Sequence, residues 1–337
     1  TDFGRIIRAL ASEGNRPAAY MLARKQFGEN SQVTKALETG STGAGGALIA
    51  QDLLADVVEL LRPRSVVRRA GAITMDCPWG TKTVPRLASS ATASYVAENA
   101  DIPASEPGFD TDSIELKKLA CLVPLSNELV SFTSTVGRAD EIVRDDMVQE
   151  LGQTEDREFL IGDGASGGPE GLTTQALAGQ TDTATSDEEV TLRTAVNHLE
   201  QANVPGERLG WVMSPRTFNY LFTARDTNGN LKFPELRNDV PTLWNFQVYK
   251  TTAIPNDGGS GSDESQIIFT DFSQVVVAEA LGMRVDVTQD GAYLDSGSTM
   301  RSAFTRDQTI IRAIRHHALY LRHPEAVAVV DAVTWGA

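Results

Sequence analysis

Gly164-Ala165-Ser166-Gly167-Gly168 fits the GxSxG spacing of a nucleophilic serine. In that chemistry a strand delivers the serine to a sharp turn and a helix follows, so the hydroxyl stands exposed beside a base and an oxyanion hole. His198, His316, His317 and His323 are the available bases. Here a long helical pattern precedes the motif and Pro169-Glu170-Gly171 follows it, so a glycine-rich turn closing a helix explains the residues better. A serine hydrolase using Ser166 is therefore the distant alternative. The Gly40–Gly46 stretch lacks the Lys and Ser/Thr of a phosphate loop, and no GxGxxG joins a strand to a helix. His316, His317 and His323 do not have zinc spacing, and two or more of them are expected to sit exposed beside Arg315 and Arg322. Cys77 and Cys121, 44 apart with no CxxC, read as two buried reduced thiols. The carboxylate pairs between 140 and 158 read as a solvated helix face rather than as acid–base machinery. The chain is thus expected to be no enzyme, with no cofactor and no metal.

Charge and size narrow the classes further. The chain has 337 residues, of which 41% are hydrophobic and 22% charged, the fractions of a folded protein. No apolar run reaches 18 residues, so no transmembrane helix is expected. A net charge of −15 is repelled by nucleic acid and by anionic membranes within a Debye length, which excludes a conventional sequence-reading DNA binder. The charge is uneven. Residues 1–46 carry six basic and four acidic groups and residues 298–337 five and three, whereas residues 136–162 carry three and eight and residues 163–297 eight and nineteen. Basic ends and an acidic middle suggest contacts between copies.

The elements that would position these groups can be read in order. Residues 1–46 read as an arm that orders on partners, with helical fragments around Ile6–Leu10 and Tyr20–Leu22 and a breaker at Thr39–Gly46. Leu53, Leu54, Val57, Val58 and Leu61 predict an amphipathic helix over 47–62, ended by Pro63. Residues 72–75 and 81–86 are strand-like, and 113–119 reads as one returning strand. Between them runs a polar excursion, 88–111, and from Tyr95 to Leu116 there are six acids and no Lys or Arg. A loop this long in a compact domain has a job. It reads as a β-hairpin arm lying on a neighbouring subunit, because a lone hairpin is marginal in water. Residues 136–161 form the clearest helix, with Ile142, Val143, Met147, Val148, Leu151, Phe159 and Leu160 as its apolar stripe and Glu155 and Asp156 among the acids of its other face. Glycines from Gly162 onward stop it. Residues 163–297 alternate strands (209–213, 246–249, 266–270, 274–278, 284–288) with helices, one of them capped by Ser214-Pro215. Residues 304–322 alternate as extended chain, and Val327–Val333 is a further strand.

Taken in order, these segments resemble the major capsid proteins of tailed double-stranded DNA bacteriophages, the Hong Kong ninety-seven type fold. The resemblance is carried by GGALIAQDLLADVVELLRPRSVVRRAGA (45–72), TKTVPRLASSATASYVAENADIPASEPGFDTDSIELKKLACLVPLSNELV (81–130), EFLIGDGASGGPEGL (158–172) and FTRDQTIIRAIRHHALYLRHPEA (304–326). It implies an α+β fold in six pieces: an N-terminal arm, 1–46; the first helix of a peripheral domain, 47–75; an extended loop, 76–119; the spine helix of the peripheral domain, 120–162; an axial domain, 163–297; and a closing peripheral segment, 298–337. It implies a structural subunit that self-assembles into hexamers and pentamers of an icosahedral shell around double-stranded DNA. Portal, scaffold and protease would attend assembly in the host bacterial cytoplasm, with or without a decoration protein. Family members often lose a leading scaffold region to a phage protease, so a start at Thr1 suggests the mature chain. An encapsulin-type nanocompartment shell is the alternative within the same fold. The candidate inter-subunit contacts are Arg5, Arg8, Arg301 and Arg306 on the basic ends, and Tyr95, Glu98, Asp101, Glu106, Asp110, Asp140 and Glu141 on the acidic loop and spine.

Some family members weld the shell with an isopeptide bond between a loop Lys and an Asn, helped by a Glu. Here no Lys lies between Thr83 and Leu116, Asp307 follows Phe304-Thr305-Arg306 where the pattern has Asn, and Ile314 stands in the Glu position. No self-crosslinking is expected. Boiled, reduced particles should run as one band on a denaturing gel, and a covalent ladder would refute this.

Overall fold

The alternation near the end of the chain builds the strand on which half the molecule hangs. A computed structural model describes residues 16–27, 65–89, 92–96, 101, 104–128, 139–280, 283–295 and 297–337. In chain order its elements are α1 (Arg16–Phe27), α2 (Val66–Arg69), β1 (Ile73–Asp76), β2 (Thr81–Ser89), β3 (Gly108–Glu115), β4 (Lys117–Ser126), α3 (Ala139–Ile161), α4 (Leu172–Gln175), β5 (Thr181–Thr183), α5 (Glu188–Gln201), β6 (Leu209–Met213), α6 (Pro215–Thr223), β7 (Thr242–Leu243), β8 (Phe246–Lys250), β9 (Ser265–Asp271), β10 (Val275–Glu279), β11 (Arg284–Thr288), β12 (Ala292–Leu294), β13 (Met300–Ser302), β14 (Gln308–Leu321) and β15 (Val327–Val333). The predicted helix over 47–62 and most of the arm lie outside the described residues.

The 14-residue β14 is paired on both edges. β4 runs antiparallel along Gln308–His317. On the other edge β11 pairs with Ile310–Ile314 and β10 with His317–Leu321, in tandem, and β1 adds in parallel beyond β10. The second sheet has six strands in the order β5-β15-β9-β6-β8-β7. Its central strands are buried on both faces. Trp211, Met213, Ile267, Phe269, Ala328 and Val330 pack under α5 and α6, while Val212, Ile268, Val327 and Val329 point the other way, toward Phe159, Leu160, Val275 and Leu319. The period of two turns each strand into a wall shared by two cores.

Strand membership cuts across the boundary expected at 297. β10 and β11 lie before it in sequence but pair with β14, and β15 lies after it but pairs with β9. Successive strands cross between sheets because β9–β10 and β14–β15 are linked by short turns, so nearness in sequence misassigns them. The returning strand predicted over 113–119 breaks at Leu116, whose N–H donates to the Gly80 carbonyl. The predicted strands at 209–213, 246–249, 266–270, 274–278 and 284–288 are present, as are the Ser214 cap, which accepts from the Thr217 N–H, and its helix. Helix α5 was not read from the sequence, although Asp187 caps it through the N–H groups of Glu189 and Val190.

Helix α3 begins at Ala139 and ends at Ile161. Its buried positions recur in pairs at four-residue intervals: Met147 and Val148, Leu151 and Gly152, Glu155 and Asp156, Phe159 and Leu160. The first pairs cover Ile311, Ala313 and Met283, and the last enters the core between the two sheets. Glu155 and Asp156 are therefore not on a solvated face as expected; they are 1% and 4% exposed. The helix ends where Gly162 and Gly171 cross. A Cβ on Gly162 would collide with the Glu158 and Pro169 carbonyls, and one on Gly171 with the Gly162 nitrogen.

Burial of Glu155 is tolerated because it closes a ring of charge. Arg68 on α2 pairs with both Glu155 and Glu279. Arg315 pairs with the same two, Nη1 lying 3.0 Å from Glu155 Oε2 and Nη2 2.9 Å from Glu279 Oε2. Arg315 and His317 are buried because odd residues of β14 face the helix, whereas His316 and His323 are exposed, two of the three histidines as expected. Burial pushes the Glu279 carboxyl up, but Arg315 and Arg68 outweigh it and hold it below its ordinary value. His317 sits edge-on to Phe159, ring centroids 4.9 Å apart. Burial drives its imidazole down to about 4, and Arg315 and Arg68 offset the opposing pull of Glu155 and Glu279. Next to the ring, Asp156 accepts from the Val66 N–H with both oxygens and from Ser65 Oγ, each at 2.8 Å. Burial lifts its carboxyl to about 6 against those hydrogen bonds, and Glu155 adds to the rise.

Two predictions follow from this junction. Glu155→Ala leaves two buried guanidinium groups sharing the single carboxylate of Glu279, one charge uncompensated, and should lower the unfolding free energy by about 3–5 kcal/mol, read from urea denaturation; a loss under about 1 kcal/mol would refute the ring's structural role. The titrations have opposite signs. The folded His317 is depressed, so its contribution is present above pH 6.5 and lost as pH falls toward 4. The folded Asp156 is raised, so its contribution is full below about pH 4 and lost as pH rises through 6. Relative to wild type, His317→Gln should gain stability on acidification from pH 6.5 to 4 and Asp156→Asn should lose it, each on the order of 3 kcal/mol. Slopes of the same sign in the two variants would contradict this.

Candidate functional site

The chemistry first considered at Ser166 finds no support in the backbone. Residues 165–167 form a single 3-10 turn after the end of α3, flanked by Gly164 and Gly167 at φ +72° and +84°. No strand leads into it and no helix leaves it, so the nucleophile elbow is absent. His198 is engaged elsewhere, its Nε2 lying 2.7 Å from Asp182 Oδ2. Cys77 is buried as expected, but Cys121 is only half-buried, because β4 exposes alternate residues at the sheet edge. Among the described residues no His, Cys, Asp and Glu cluster could hold a metal, and no helix is long and apolar enough to cross a membrane.

What the fold does present is two projecting hairpins. The first is β2–β3, a two-stranded ladder running from the Thr81–Glu115 pair to the Ser89–Gly108 pair. The ladder extends further than predicted, so the irregular excursion is shorter than 88–111. Its root is anchored on β10 and β14: Ile114 is buried against Cys77, Ala278 and Ala318, and Tyr320 Oη donates to Asp112 Oδ2 at 3.0 Å. Arg86 lies 3.6 Å from Asp112 and 3.8 Å from Asp110, exposed pairs worth under about 1 kcal/mol. Away from the root the hairpin is bare. Phe109 is 75% exposed, and Tyr95, Asp101, Glu106 and Asp110 are exposed as well; beside the root, Trp79 is 91% exposed.

The second projection is β12–β13. Its turn is organised by Asp295, which accepts from the N–H groups of Gly297 and Thr299 and from Arg301 Nε at 2.7 Å. Leu294, Met300 and Phe304 stand exposed around it. Arg306 is exposed, and Asp307 follows at φ +50°. Asp307 has a local role: its Oδ1 accepts from Asn127 Nδ2 at 2.6 Å, and its carbonyl from the Asn127 N–H at 3.0 Å. It pins the end of β4 to the start of β14.

These surfaces sort the candidate contacts. Asp101, Glu106, Asp110 and Tyr95 belong to the first projection, and Arg301 and Arg306 to the second, with Arg301 already held by Asp295. Asp140 and Glu141 open α3, where acids suit the helix dipole. Arg5, Arg8 and Glu98 lie outside the described residues. The hairpin root meets β14 at Tyr320, and the basic turn meets it at Gln308. Twelve residues of extended chain separate the two attachment points by about 40 Å. The buried charge ring was missed at the sequence level, but a signal was present: Glu155 and Asp156 stand at the four-residue interval set by Met147, Leu151 and Phe159.

Comparison with known proteins is consistent with this architecture. A family model described as the phage capsid family matches residues 45–332. The major capsid protein of Klebsiella oxytoca phage phiKO2 is 34% identical over 342 residues, covering 97% of this chain and 77% of that protein. A solved structure from Mycobacterium phage Adephagia superposes with a TM-score of 0.62 at 18% identity, over 79% of this chain and 89% of that one. The capsid of a native GTA particle does so with a TM-score of 0.58 at 17% identity, over 78% and 88%. With the match spanning most of its length, this chain belongs to the phage capsid family.

Proposed function

We propose that the chain is a shell-forming subunit whose acidic hairpin, β2–β3, docks on the basic turn around Arg301 and Arg306 of a neighbouring copy. A structural role as a major capsid protein follows from family membership. The observation that carries the docking is the pair of projections at the two ends of one strand, the first acidic and exposed at Asp101, Glu106 and Asp110, the second presenting Arg301 and the exposed Arg306. A surface that meets a different surface on the next copy is heterologous, and such contacts close into rings when the rotation permits. Hexamers and pentamers of an icosahedral head are the rings of this reading. The six-stranded sheet would form the axial domain. The spine helix α3 and the sheet built on β14 would form the peripheral domain, and β2–β3 the extended loop. The N-terminal residues, Arg5 and Arg8 included, would add a basic arm. The head would assemble in the host bacterial cytoplasm with portal, scaffold and protease. It would enclose double-stranded DNA without sequence preference, and the net charge of −15 would keep the packaged polymer from adhering to its container. The phage and GTA likenesses favour this reading over an encapsulin-type compartment.

Negative-stain images of the purified protein should show shells tens of nanometres wide containing nucleic acid; cargo enzyme inside them would favour the nanocompartment. Assembly should weaken as salt rises, since exposed charge contacts are screened over about 8–10 Å at 0.1–0.15 M ionic strength. Reversing Arg301 and Arg306 to Glu should impair assembly, and reversing Asp101, Glu106 and Asp110 to Lys in the same chain should restore it. Assembly indifferent to both salt and charge reversal would overturn the docking.

A further inference from the structure

We propose that Asn228–Gly229 is a self-modifying site, where the Gly229 nitrogen converts the asparagine through a succinimide to isoaspartate or aspartate, and that Asp226 is the residue that holds the reaction in check. This is the only Asn-Gly step in the chain. It stands at the exposed tip of a small hairpin between α6 and β7, closed by the Arg225–Leu231 bridge and by the Lys232 N–H donating to the Ala224 carbonyl. A glycine after the asparagine leaves the backbone nitrogen unshielded, because no Cβ stands beside it, and around Gly229 there is open space. Among the described residues nothing bonds the Asn228 carboxamide, so it is free to turn back on the main chain.

The chemistry is a ring closure followed by hydrolysis, with solvent water and base as the only co-reactants. Base takes the proton from the Gly229 N–H. The nitrogen then forms a bond to Asn228 Cγ, the Cγ–Nδ2 bond breaks, and ammonia leaves with a proton from water. Water next opens the ring. Breaking the bond between the Gly229 nitrogen and Cγ gives aspartate. Breaking the bond between that nitrogen and the Asn228 main-chain carbonyl carbon gives isoaspartate, whose backbone is longer by a methylene. Nothing is oxidised or reduced.

The folded turn opposes the first step. The Gly229 N–H donates to the Asp226 carbonyl at 3.0 Å, which engages the very proton that must leave. The Asp226 carboxylate keeps the turn in that shape. Its Oδ1 accepts from the Asn228 N–H at 2.9 Å and the Asn230 N–H at 2.8 Å, and its Oδ2 from Asn230 Nδ2 at 3.1 Å. Arg225 Nη1 donates to the Gly229 carbonyl at 2.7 Å. Attack on Cγ therefore waits for the turn to open. The product places a new negative charge beside Asp226, and the longer isoaspartate backbone does not fit the same hydrogen bonds, so the reaction is a one-way opening of this tip.

The test is incubation of the full-length chain at mildly alkaline pH, with Asn228 followed by peptide mapping and mass spectrometry that separates isoaspartate from aspartate. Chain unfolded in urea should convert Asn228 to both acids, and the folded wild type should do so more slowly. Folded Asp226→Ala should react at least about tenfold faster than folded wild type, because hydrogen bonds to a charged group are worth that factor or more. Asp226→Asn keeps one carbonyl acceptor and should fall between the two. Asn230, shielded by the Leu231 side chain that follows it, should stay intact throughout. Four results would each overturn the proposal: folded wild type as fast as the unfolded chain; Asp226→Ala no faster than wild type; an acceleration in Asp226→Ala shared by asparagines elsewhere in the chain, the mark of general unfolding; or aspartate without isoaspartate, the mark of direct hydrolysis.

Discussion

The closed ring of Arg68, Glu155, Arg315 and Glu279 is the constraint on which the rest of the molecule depends. Four elements distant in sequence each contribute one member: α2, α3, β10 and β14. Two guanidinium groups and two carboxylates neutralise one another, and that is the condition under which ions persist away from water. The ring fixes the azimuth of the spine helix. Rotating α3 by one residue would carry Glu155 away from both arginines and bring Thr154 or Asp156 into its place. An apolar seam would tolerate such slippage; this one does not. The helix can therefore serve as a datum from which both sheets, and both projections, are placed.

Much of the fold was legible in residues. Alternation located β14, β-prone runs located β6, β8, β9 and β15 of the six-stranded sheet, and the Ser214-Pro215 cap located α6, because these signals are local. What was not legible is non-local. Nothing in Val275–Glu279 tells it to pair with β14 while the adjacent Ser265–Asp271 pairs with β6 and β15. That choice is made by which face of each strand the common core accepts. Acids on a helix read as solvated unless their partners are known, and the partners of Glu155 lie 87 and 160 positions away. The same holds for the contact candidates. Composition marked the hairpin as acidic and the closing segment as basic, but only the register of β14 shows that they sit at opposite ends of one strand. Asp307 read from the sequence as a missing crosslink partner; in the fold it is the residue that closes the turn onto Asn127.

Electrostatics divides into two regimes in this chain. The interior charges are few, paired and indifferent to salt. The exterior charges are many, segregated by element, and dominated by the six-stranded sheet and the hairpin. Stability of the subunit and adhesion between subunits are thereby separated: ionic conditions that loosen contacts between copies leave the ring, shielded from counter-ions, unaffected. A shell protein benefits from that separation, because it must change neighbours without changing its own fold.

The length of β14 has a mechanical meaning. The hairpin is fastened to one end of this strand through Ile114 and Tyr320, and the turn at Asp307 to the other. In the proposed docking, the component of a pull on the hairpin that runs along the strand is parallel to the ladder that Gln308–His317 makes with β4. Load in that direction strains all the cross-strand hydrogen bonds at once, as in a lap joint, instead of peeling them singly like a zipper. The strand is a tie-rod through the subunit, and tension borne by a pressurised container would pass from copy to copy along it without opening either sheet.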